Sequence, residues 1–210
     1  MMKKTANKNS TVKNAVLLYI SGGIVLGLCL FMPVWADTGS PKAQLETTIQ
    51  DILGVLRDPA LKADGLREEK KDKLRRIARQ RFDYRKMSQL SLGRHWRQIS
   101  DTEKESFTEL FGTLLEDTYM AKIDAYTDEK VAFLNERVTE KKAQVDTKII
   151  TKDLEIPINY RMYRKKDDLW MIYDMVIEGV SMIGNYRSQF DQILERQSFN
   201  DLVEKLKEKN

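Results

Sequence analysis

Few residues of this chain have the types and spacing that catalysis or metal binding requires. Its 210 residues include one histidine, His95, and one cysteine, Cys29. A catalytic triad built on His95 would need an acid and a nucleophile that converge on it, and the surrounding Gly93-Arg94-His95-Trp96 segment indicates neither. A zinc site with a single histidine and no nearby cysteine would be unusual. We therefore expect His95 to pack or to form a hydrogen bond beside Trp96 at a helix end.

Motifs of the common catalytic folds are also missing from the sequence. There is no G-x-S-x-G, no P-loop and no G-x-G-x-x-G motif. Carboxylates are abundant, but they lie on predicted charged helices, where they usually face water. Spacing alone does not nominate a pair of glycosidase carboxylates, which must meet in space. The sequence therefore favours a protein that is not an enzyme and that holds no metal or cofactor.

The charge distribution argues against nucleic acid as a partner. The formal net charge is +4, but four of the 36 basic residues and none of the 32 acidic residues lie in residues 1–36, which leaves 32 of each sign beyond them. A segment without net charge lacks the positive field that attracts polyanions.

Residues 1–36 have the layout of a secretory signal peptide. Four lysines precede an apolar run from Ala15 to Met32, Pro33 breaks this run, and Ala36 is a small residue at the expected cleavage point. The run is long for a signal peptide, so an uncleaved membrane anchor is the alternative. In both cases the lysines precede the run, which predicts export of the remaining chain from the cytoplasm.

Residues 37–210 are predicted to form a single α+β domain. Residues 37–127 are mainly helical, with a helix start at Ser40-Pro41 and a capping box from Ser100 to Glu103. Residues 128–177 alternate with a period of two, which predicts a twisted antiparallel sheet of about four strands covered by helices. Residues 178–210 supply the closing helices.

The predicted strand from Leu169 to Ile177 is apolar on both faces. Simple alternation would place Met171, Met175 and Ile177 on one face, and Trp170, Ile172 and Val176 on the other. For any single residue, an ordinary core position is the simplest interpretation. Taken together, a curved sheet covered by helices could also leave an apolar cavity, which small domains usually keep for a ligand.

Four segments have a recognisable order and spacing: Phe82-Asp83, Leu92 to Arg97, Tyr173 to Ser181, and Asn185 to Phe190. In these segments the chain resembles the MlaC family, also called the toluene-tolerance auxiliary family. The resemblance extends from about Leu45 to the C-terminus, and its most specific parts are the runs VIEGVS and NYRSQF.

The resemblance implies a periplasmic phospholipid carrier with a nuclear-transport-factor-like body and a deep apolar pocket. Its cargo would be phospholipid, without catalytic residues, metal or cofactor. Its implied partners are an inner-membrane ABC transporter that bears an MCE-domain protein, and an outer-membrane lipoprotein–porin complex. The pathway would maintain the lipid asymmetry of the outer membrane.

Helical and strand periodicity nominate candidate residues for the pocket wall, although they do not decide which strand face looks inward. The candidates are Phe107, Phe111, Leu114, Tyr119, Val145, Ile149, Ile158, Tyr160, Trp170, Ile172, Val176, Val180, Ile183 and Tyr186. Three arginines of the family segments, Arg94, Arg97 and Arg187, either lie near the pocket mouth or brace the fold. In the second case they are expected to pair with Asp83, Asp174 or Glu178.

Two other classes of function stay open at this stage. An envelope adaptor of the same fold would have a filled core and would carry no lipid. An exported lipid hydrolase would show turnover that depends on one carboxylate. The carrier, in contrast, predicts a large cavity and phospholipid that co-purifies with the protein.

Overall fold

The structure is a computed structural model that describes residues 39–61, 64–124 and 130–209. The predicted signal peptide, residues 1–36, and Cys29 lie outside these ranges. Among the described residues, no helix combines the length and the apolar character that a membrane crossing requires.

Six α-helices occur in the described ranges, with short 3-10 turns between some of them. They are α1 (Pro41–Arg57), α2 (Arg67–Arg81), α3 (Tyr84–Leu92), α4 (Asp101–Asp124), α5 (Met182–Leu194) and α6 (Phe199–Lys207).

Local capping explains where several of these helices begin and end. Ser40 caps α1, because its hydroxyl oxygen accepts a hydrogen bond from the Ala43 amide at 3.1 Å. The capping box in front of α4 is confirmed, since the Ser100 amide donates to Glu103 at 2.7 Å. Gly93 ends α3 with a φ of 54°, which favours glycine over residues that carry a Cβ.

The sheet is an antiparallel meander with the strand order β1-β2-β3-β4-β5. The strands are β1 (Lys130–Val138), β2 (Lys142–Ile150), β3 (Glu155–Arg164), β4 (Trp170–Ile177) and β5 (Val180–Ser181). The α+β class and the antiparallel sheet are thus confirmed, and the fifth strand is a two-residue addition to the four that the sequence predicts.

A β-bulge interrupts β4 at Tyr173. Asp174 pairs with Arg161 of β3, whereas Ile172 pairs with the next residue of β3, Met162. Tyr173 is therefore an extra residue in β4, and the two sides of the strand exchange at this point.

The bulge corrects the simple alternation expected for this strand. Met175 is aligned with Tyr160, and Ile177 with Ile158, so both lie on the same side of the sheet as Ile172. Val176 is aligned with Asn159 and lies on the opposite, outer side. One inserted residue thus moves two large apolar side chains to the helix-facing side.

One end of the helix-facing side of the sheet is tightly filled. Leu45 and Ile49 of α1 pack there against sheet residues that we call the packed end, namely Ala143, Val145, Met162, Trp170 and Ile172. All of these side chains are buried, and Val145, Met162 and Ile172 have no exposed surface.

A second core lies among the helices. Phe107 and Phe111 of α4 are fully buried, and Phe190 of α5 contacts both rings edge-on at centroid distances of 5.8 and 5.4 Å. This cluster joins α3, α4, α5 and α6. The helices therefore hold each other in place without using the whole surface of the sheet.

The composition of the charged helix α2 suggests a helix that faces water on most sides, but the structure fixes it to two other helices. Leu74 is its one buried residue and packs against Leu56 of α1. On another side, Arg75 pairs with Asp117 at 3.0 Å and Arg79 with Glu116 at 2.8 Å. Ion pairs thus fix α2 to α4.

Candidate functional site

An apolar cavity of about 390 Å³ lies between the sheet and the helices. Six strand residues form one wall, which we call the cavity end of the sheet: Ile149, Ile156, Ile158, Tyr160, Met175 and Ile177. The helices and connecting segments supply the other walls: Ile52, Leu74, Ala78, Phe82, Tyr84, Met87, Leu115, Glu116, Tyr119, Glu178 and Met182.

The cavity end and the packed end belong to the same side of the same strands. Along β2, Ala143 and Val145 are buried beneath α1, whereas Ile149 faces the cavity. On β4 the bulge brings Met175 and Ile177 to the cavity wall. Strand alternation therefore determines which residues share the helix-facing side. The covering helices determine whether those residues are packed or face open space.

The segment between α2 and α3 closes the cavity beside β4. Phe82 forms a parallel bridge with Ile172, and the Asp83 amide donates to the Ile172 carbonyl at 2.9 Å. The Asp83 carboxylate then caps α3 by accepting from the Lys86 amide at 2.8 Å, and it also accepts from the Tyr163 hydroxyl. These bonds hold the Phe82 side chain at the cavity.

A buried carboxylate interrupts the apolar wall. The side chain of Glu116 is only 1% exposed, and its two oxygens accept from Arg79 at 2.8 and 3.3 Å. Tyr84 also donates its hydroxyl to Glu116, and burial followed by this negative charge raises the pKa of Tyr84 above its usual value. A buried carboxylate with these partners is stabilised as a fixed polar element of the wall.

The approach of Tyr84 to α4 depends on a glycine. A Cβ at Gly112 would lie 3.3 Å from the Tyr84 ring, which is tighter than ordinary van der Waals contact. Gly112 precedes Glu116 by one helical turn, so the two positions lie on the same side of α4. The glycine thus lets Tyr84 lie against the helix that carries its acceptor.

Four of the fourteen candidate wall residues lie at this cavity: Tyr119, Ile149, Ile158 and Tyr160. Another three, Val145, Trp170 and Ile172, lie in the packed end. The helical core contains Phe107, Phe111, Leu114, Ile183 and, at its edge, Tyr186. Val176 lies on the outer side of the sheet and Val180 is 61% exposed. Periodicity thus nominated twelve residues that face a core or the cavity and two that do not, and it did not separate packed positions from open ones.

Of the three motif arginines, Arg94 forms ion pairs as the bracing alternative expected, but with other carboxylates than those named. Arg94 is exposed and pairs with Asp191 at 3.1 Å and Glu195 at 3.4 Å, both on or beside α5. Arg187 and Arg97 are also exposed, and none of the three lines the cavity. The expected partner Asp174 instead pairs with Arg161 at 2.9 Å.

Asp174 and His95 both form hydrogen bonds that stabilise the fold around α5. The Asp174 carboxylate accepts from the Ile183 amide at 3.0 Å and from the Ser181 hydroxyl at 2.7 Å, which secures the start of α5. His95 Nε2 lies 3.0 Å from Asp191 Oδ1, which confirms its predicted hydrogen bond in the turn that contains Trp96. No group of three or more His, Cys, Asp or Glu side chains in the described part could hold a metal ion.

Sequence reasoning missed wall residues for three identifiable reasons. Met175 and Ile177 were assigned to the other side because a bulge leaves no clear mark in the alternation. Leu74 and Ala78 belong to a thin apolar seam on α2 that the sequence shows, but the surrounding charge indicated a helix that faces water, so the seam was not assigned to the pocket. Glu116 could not be singled out among many carboxylates, since its burial depends on partners 37 residues away along the chain.

The chain matches a protein family, a curated relative and solved structures. The family profile described as "MlaC protein" matches residues 46–208. A curated relative from Haemophilus influenzae, the "Intermembrane phospholipid transport system binding protein MlaC", is 29% identical over 122 residues, which are 56% of this chain and 57% of the relative. The match thus spans little more than half of the length of that relative.

Among the solved structures is one of a phospholipid-binding protein from Ralstonia solanacearum in complex with a phospholipid. It superposes with a TM-score of 0.69 at 24% identity, covering 80% of this chain and 94% of the other. At this level of identity the match establishes a shared fold.

Proposed function

The chain belongs to the MlaC family, and from this premise and its apolar cavity we propose that it is a phospholipid carrier. The acyl chains of the lipid would occupy the cavity between the cavity end of the sheet and α2, α3 and α4. The cavity is the observation that carries the proposal, because it distinguishes a carrier from an adaptor of the same fold with a filled core.

The physical argument rests on the cost of moving acyl chains through water. Burial stabilises each methylene by about 0.8 kcal/mol, so one long acyl chain contributes on the order of 10 kcal/mol. The wall offers isoleucine, leucine, methionine and phenylalanine side chains for this purpose. Because the affinity would come mainly from the chains, we expect weak selectivity for the lipid headgroup.

The polar groups of the wall limit what the cavity can do chemically. Glu116 is held by Arg79 and Tyr84, and Glu178 is exposed at the turn between β4 and β5. The single histidine does not line the cavity and is bonded to Asp191. This arrangement favours binding over hydrolysis.

We place the carrier in the periplasm, exported by the segment at residues 1–36. Its proposed route is between an inner-membrane ABC transporter with an MCE-domain protein and an outer-membrane lipoprotein–porin complex. Lipid movement along this route would maintain outer-membrane asymmetry. Family membership and the transport system named for the Haemophilus influenzae relative support this finer proposal.

Native mass spectrometry would test the carrier proposal. The protein is purified without detergent after expression of the full chain in a Gram-negative host, and its mass is measured before and after organic extraction. We expect an excess mass that matches phospholipid with mixed headgroups. A folded protein with no excess mass would contradict the proposal and would favour the adaptor.

The same preparation separates a carrier from a lipid hydrolase. Incubation with defined phospholipid vesicles should release no fatty acid if the protein only binds lipid. Release that is lost in the Glu116→Gln variant would instead identify Glu116 as a catalytic carboxylate.

A further inference from the structure

A shallow groove of about 220 Å³ lies on the outer side of the sheet, away from the helices. Three cations from three neighbouring strands line it: Arg137 of β1, Lys142 of β2 and Arg161 of β3. Its neutral polar lining residues are Thr139, Gln144 and Tyr173. The lining includes no carboxylate, although this chain beyond residue 36 has as many acidic as basic residues.

Each of the two arginines is held in place by an ion pair with an aspartate. Arg137 Nη2 lies 2.9 Å from Asp146 Oδ2, and Arg161 Nη1 lies 2.9 Å from Asp174 Oδ2. Both carboxylates are largely buried, whereas the arginine side chains are 63% and 42% exposed. Each guanidinium is therefore oriented on one side and retains further N–H donors that are accessible from the groove.

Lys142 adds a third charge without a fixed counter-ion. Its side chain is exposed, and it forms no ion pair with the acidic side chains of the described residues. The two aspartates balance the charges of the two arginines, so the lysine leaves this region with a net positive charge that a bound anion would balance. The bulge in β4 also places Tyr173 in the lining, beside Arg161.

We propose that this groove binds a phosphate group. Oriented guanidinium groups match the geometry of phosphate oxygens, and the lysine adds the positive charge that the two aspartates leave unbalanced. The phosphate can come from solution or from the headgroup of a lipid at a membrane surface.

The groove is separate from the proposed cargo cavity. It lies on the other side of the sheet, and its β2 residues, Lys142 and Gln144, are at the opposite end of the strand from Ile149. The phosphate site therefore does not depend on the carrier function.

Titration of the protein with inorganic phosphate, followed by amide NMR at low ionic strength, tests the site, because salt would screen these exposed charges. We expect saturable shifts at Thr139, Lys142 and Gln144. The double variant Arg137→Gln/Lys142→Gln should raise the apparent Kd about ten-fold, since it removes two charged donors. Arg161 is left intact because its removal would leave the buried Asp174 without its cation.

Lys148→Gln is the matched control. Lys148 lies on the same side of the same strand but outside the groove, where it pairs with Glu155 at 2.7 Å. This variant should bind phosphate as the unchanged protein does. The proposal is overturned if the unchanged protein shows no saturable shifts, or if the control and the double variant weaken binding equally.

Sedimentation with phosphatidylglycerol vesicles distinguishes the two sources of phosphate. If the unchanged protein binds both phosphate and vesicles, and the double variant loses both, the site is assigned to lipid headgroups. Phosphate binding without vesicle binding assigns it to free phosphate. Binding of a polyglutamate peptide without any phosphate binding would overturn the proposal in favour of an acidic protein partner.

Discussion

The packed end and the cavity end of the sheet share the same strands and the same inward side, yet only one of them is filled. Over the packed end, α1 inserts Leu45 and Ile49 between the strand residues. Over the cavity end, α2 contributes only Leu74 and the small Ala78, and ion pairs rather than apolar packing fix it to α4. The comparison teaches that the covering helices, and not the strands, create the binding space.

The largest expected effect comes from placing a charge at each end. Val145→Asp in the packed end should destabilise the protein by more than about 4 kcal/mol and prevent folding, because the carboxylate would be buried without a partner. Ile177→Asp in the cavity end should leave a folded protein that has lost its bound phospholipid. Thermal unfolding and extracted lipid per protein measure the two outcomes.

A folded Val145→Asp variant that lacks lipid would break the comparison. In that case Val145 would line the binding space and the packed end would be part of the pocket. A folded Ile177→Asp variant that keeps its full lipid content would equally remove Ile177 from the proposed wall.

The buried polar element of the cavity wall gives the next effect. Glu116→Gln should lower the free energy of unfolding by roughly 1.5–3 kcal/mol, since it weakens charge-assisted bonds to Arg79 and the bond from Tyr84. Glu109→Gln is the control, because Glu109 pairs with the same Arg79 at 3.6 Å but is exposed. Its effect should stay within about 0.5 kcal/mol in urea denaturation.

Replacing one alanine by leucine at each end of the sheet compares the free space at the two ends. Ala143→Leu should cost about 1–3 kcal/mol because it overpacks a filled region. Ala78→Leu adds the same atoms at the cavity wall. It should leave the free energy of unfolding nearly unchanged and should lower the lipid content. Equal destabilisation by both substitutions, measured by urea denaturation, would mean that the space beside Ala78 is not available.

The dependence of stability on alkaline pH tests whether Tyr160, at the cavity end, is shielded from water. Burial raises the pKa of Tyr160 to about 12 from a reference value of 10.0. Between these values the unfolded chain loses a proton that the folded protein keeps, so the stability from this group is complete below pH 10 and falls as the pH rises.

Tyr160→Phe should therefore make the loss of stability between pH 10 and 12 shallower by about 1.4 kcal/mol per pH unit. Tyr173→Phe on the outer side is the comparison: burial also raises the pKa of Tyr173, but the neighbouring Arg161 opposes this rise, so its effect on the slope should be smaller than that of Tyr160→Phe. The slope of unfolding free energy against pH decides the outcome. Identical slopes for the unchanged protein and Tyr160→Phe would contradict a desolvated Tyr160.

Much of the fold was predictable from the sequence because its signals are local. Ser40, Asp83, Ser100 and Ser198 cap the helices that they precede, and period-two alternation identified β2 and β3, although it did not decide which of their two sides faces inward. Gly93 ended α3 as its position indicated. These features depend on residues a few positions apart, which a sequence displays directly.

The cavity was less predictable because it depends on contacts between distant segments. Periodicity treats Val145 and Ile149 alike, and only the position of α1 and α2 above them makes one a core residue and the other a wall residue. The burial of Glu116 likewise follows from arginines on another helix. The resemblance to a family of carriers indicated that a pocket exists, whereas its boundaries required coordinates.

The bulge at Tyr173 also has a consequence for redesign and for sequence comparison. It shifts the alternation by one residue. A variant that lacks Tyr173 would have a regular strand with both halves still on the correct side. A regular strand that keeps Tyr173 would instead turn either the Trp170–Ile172 half or the Met175–Ile177 half to the wrong side. Alignments that score hydrophobic alternation across this strand will tend to place a gap here incorrectly. Chimeras between relatives should therefore exchange β4 as one block that keeps Tyr173 and Asp174 together with the Arg161 that they face.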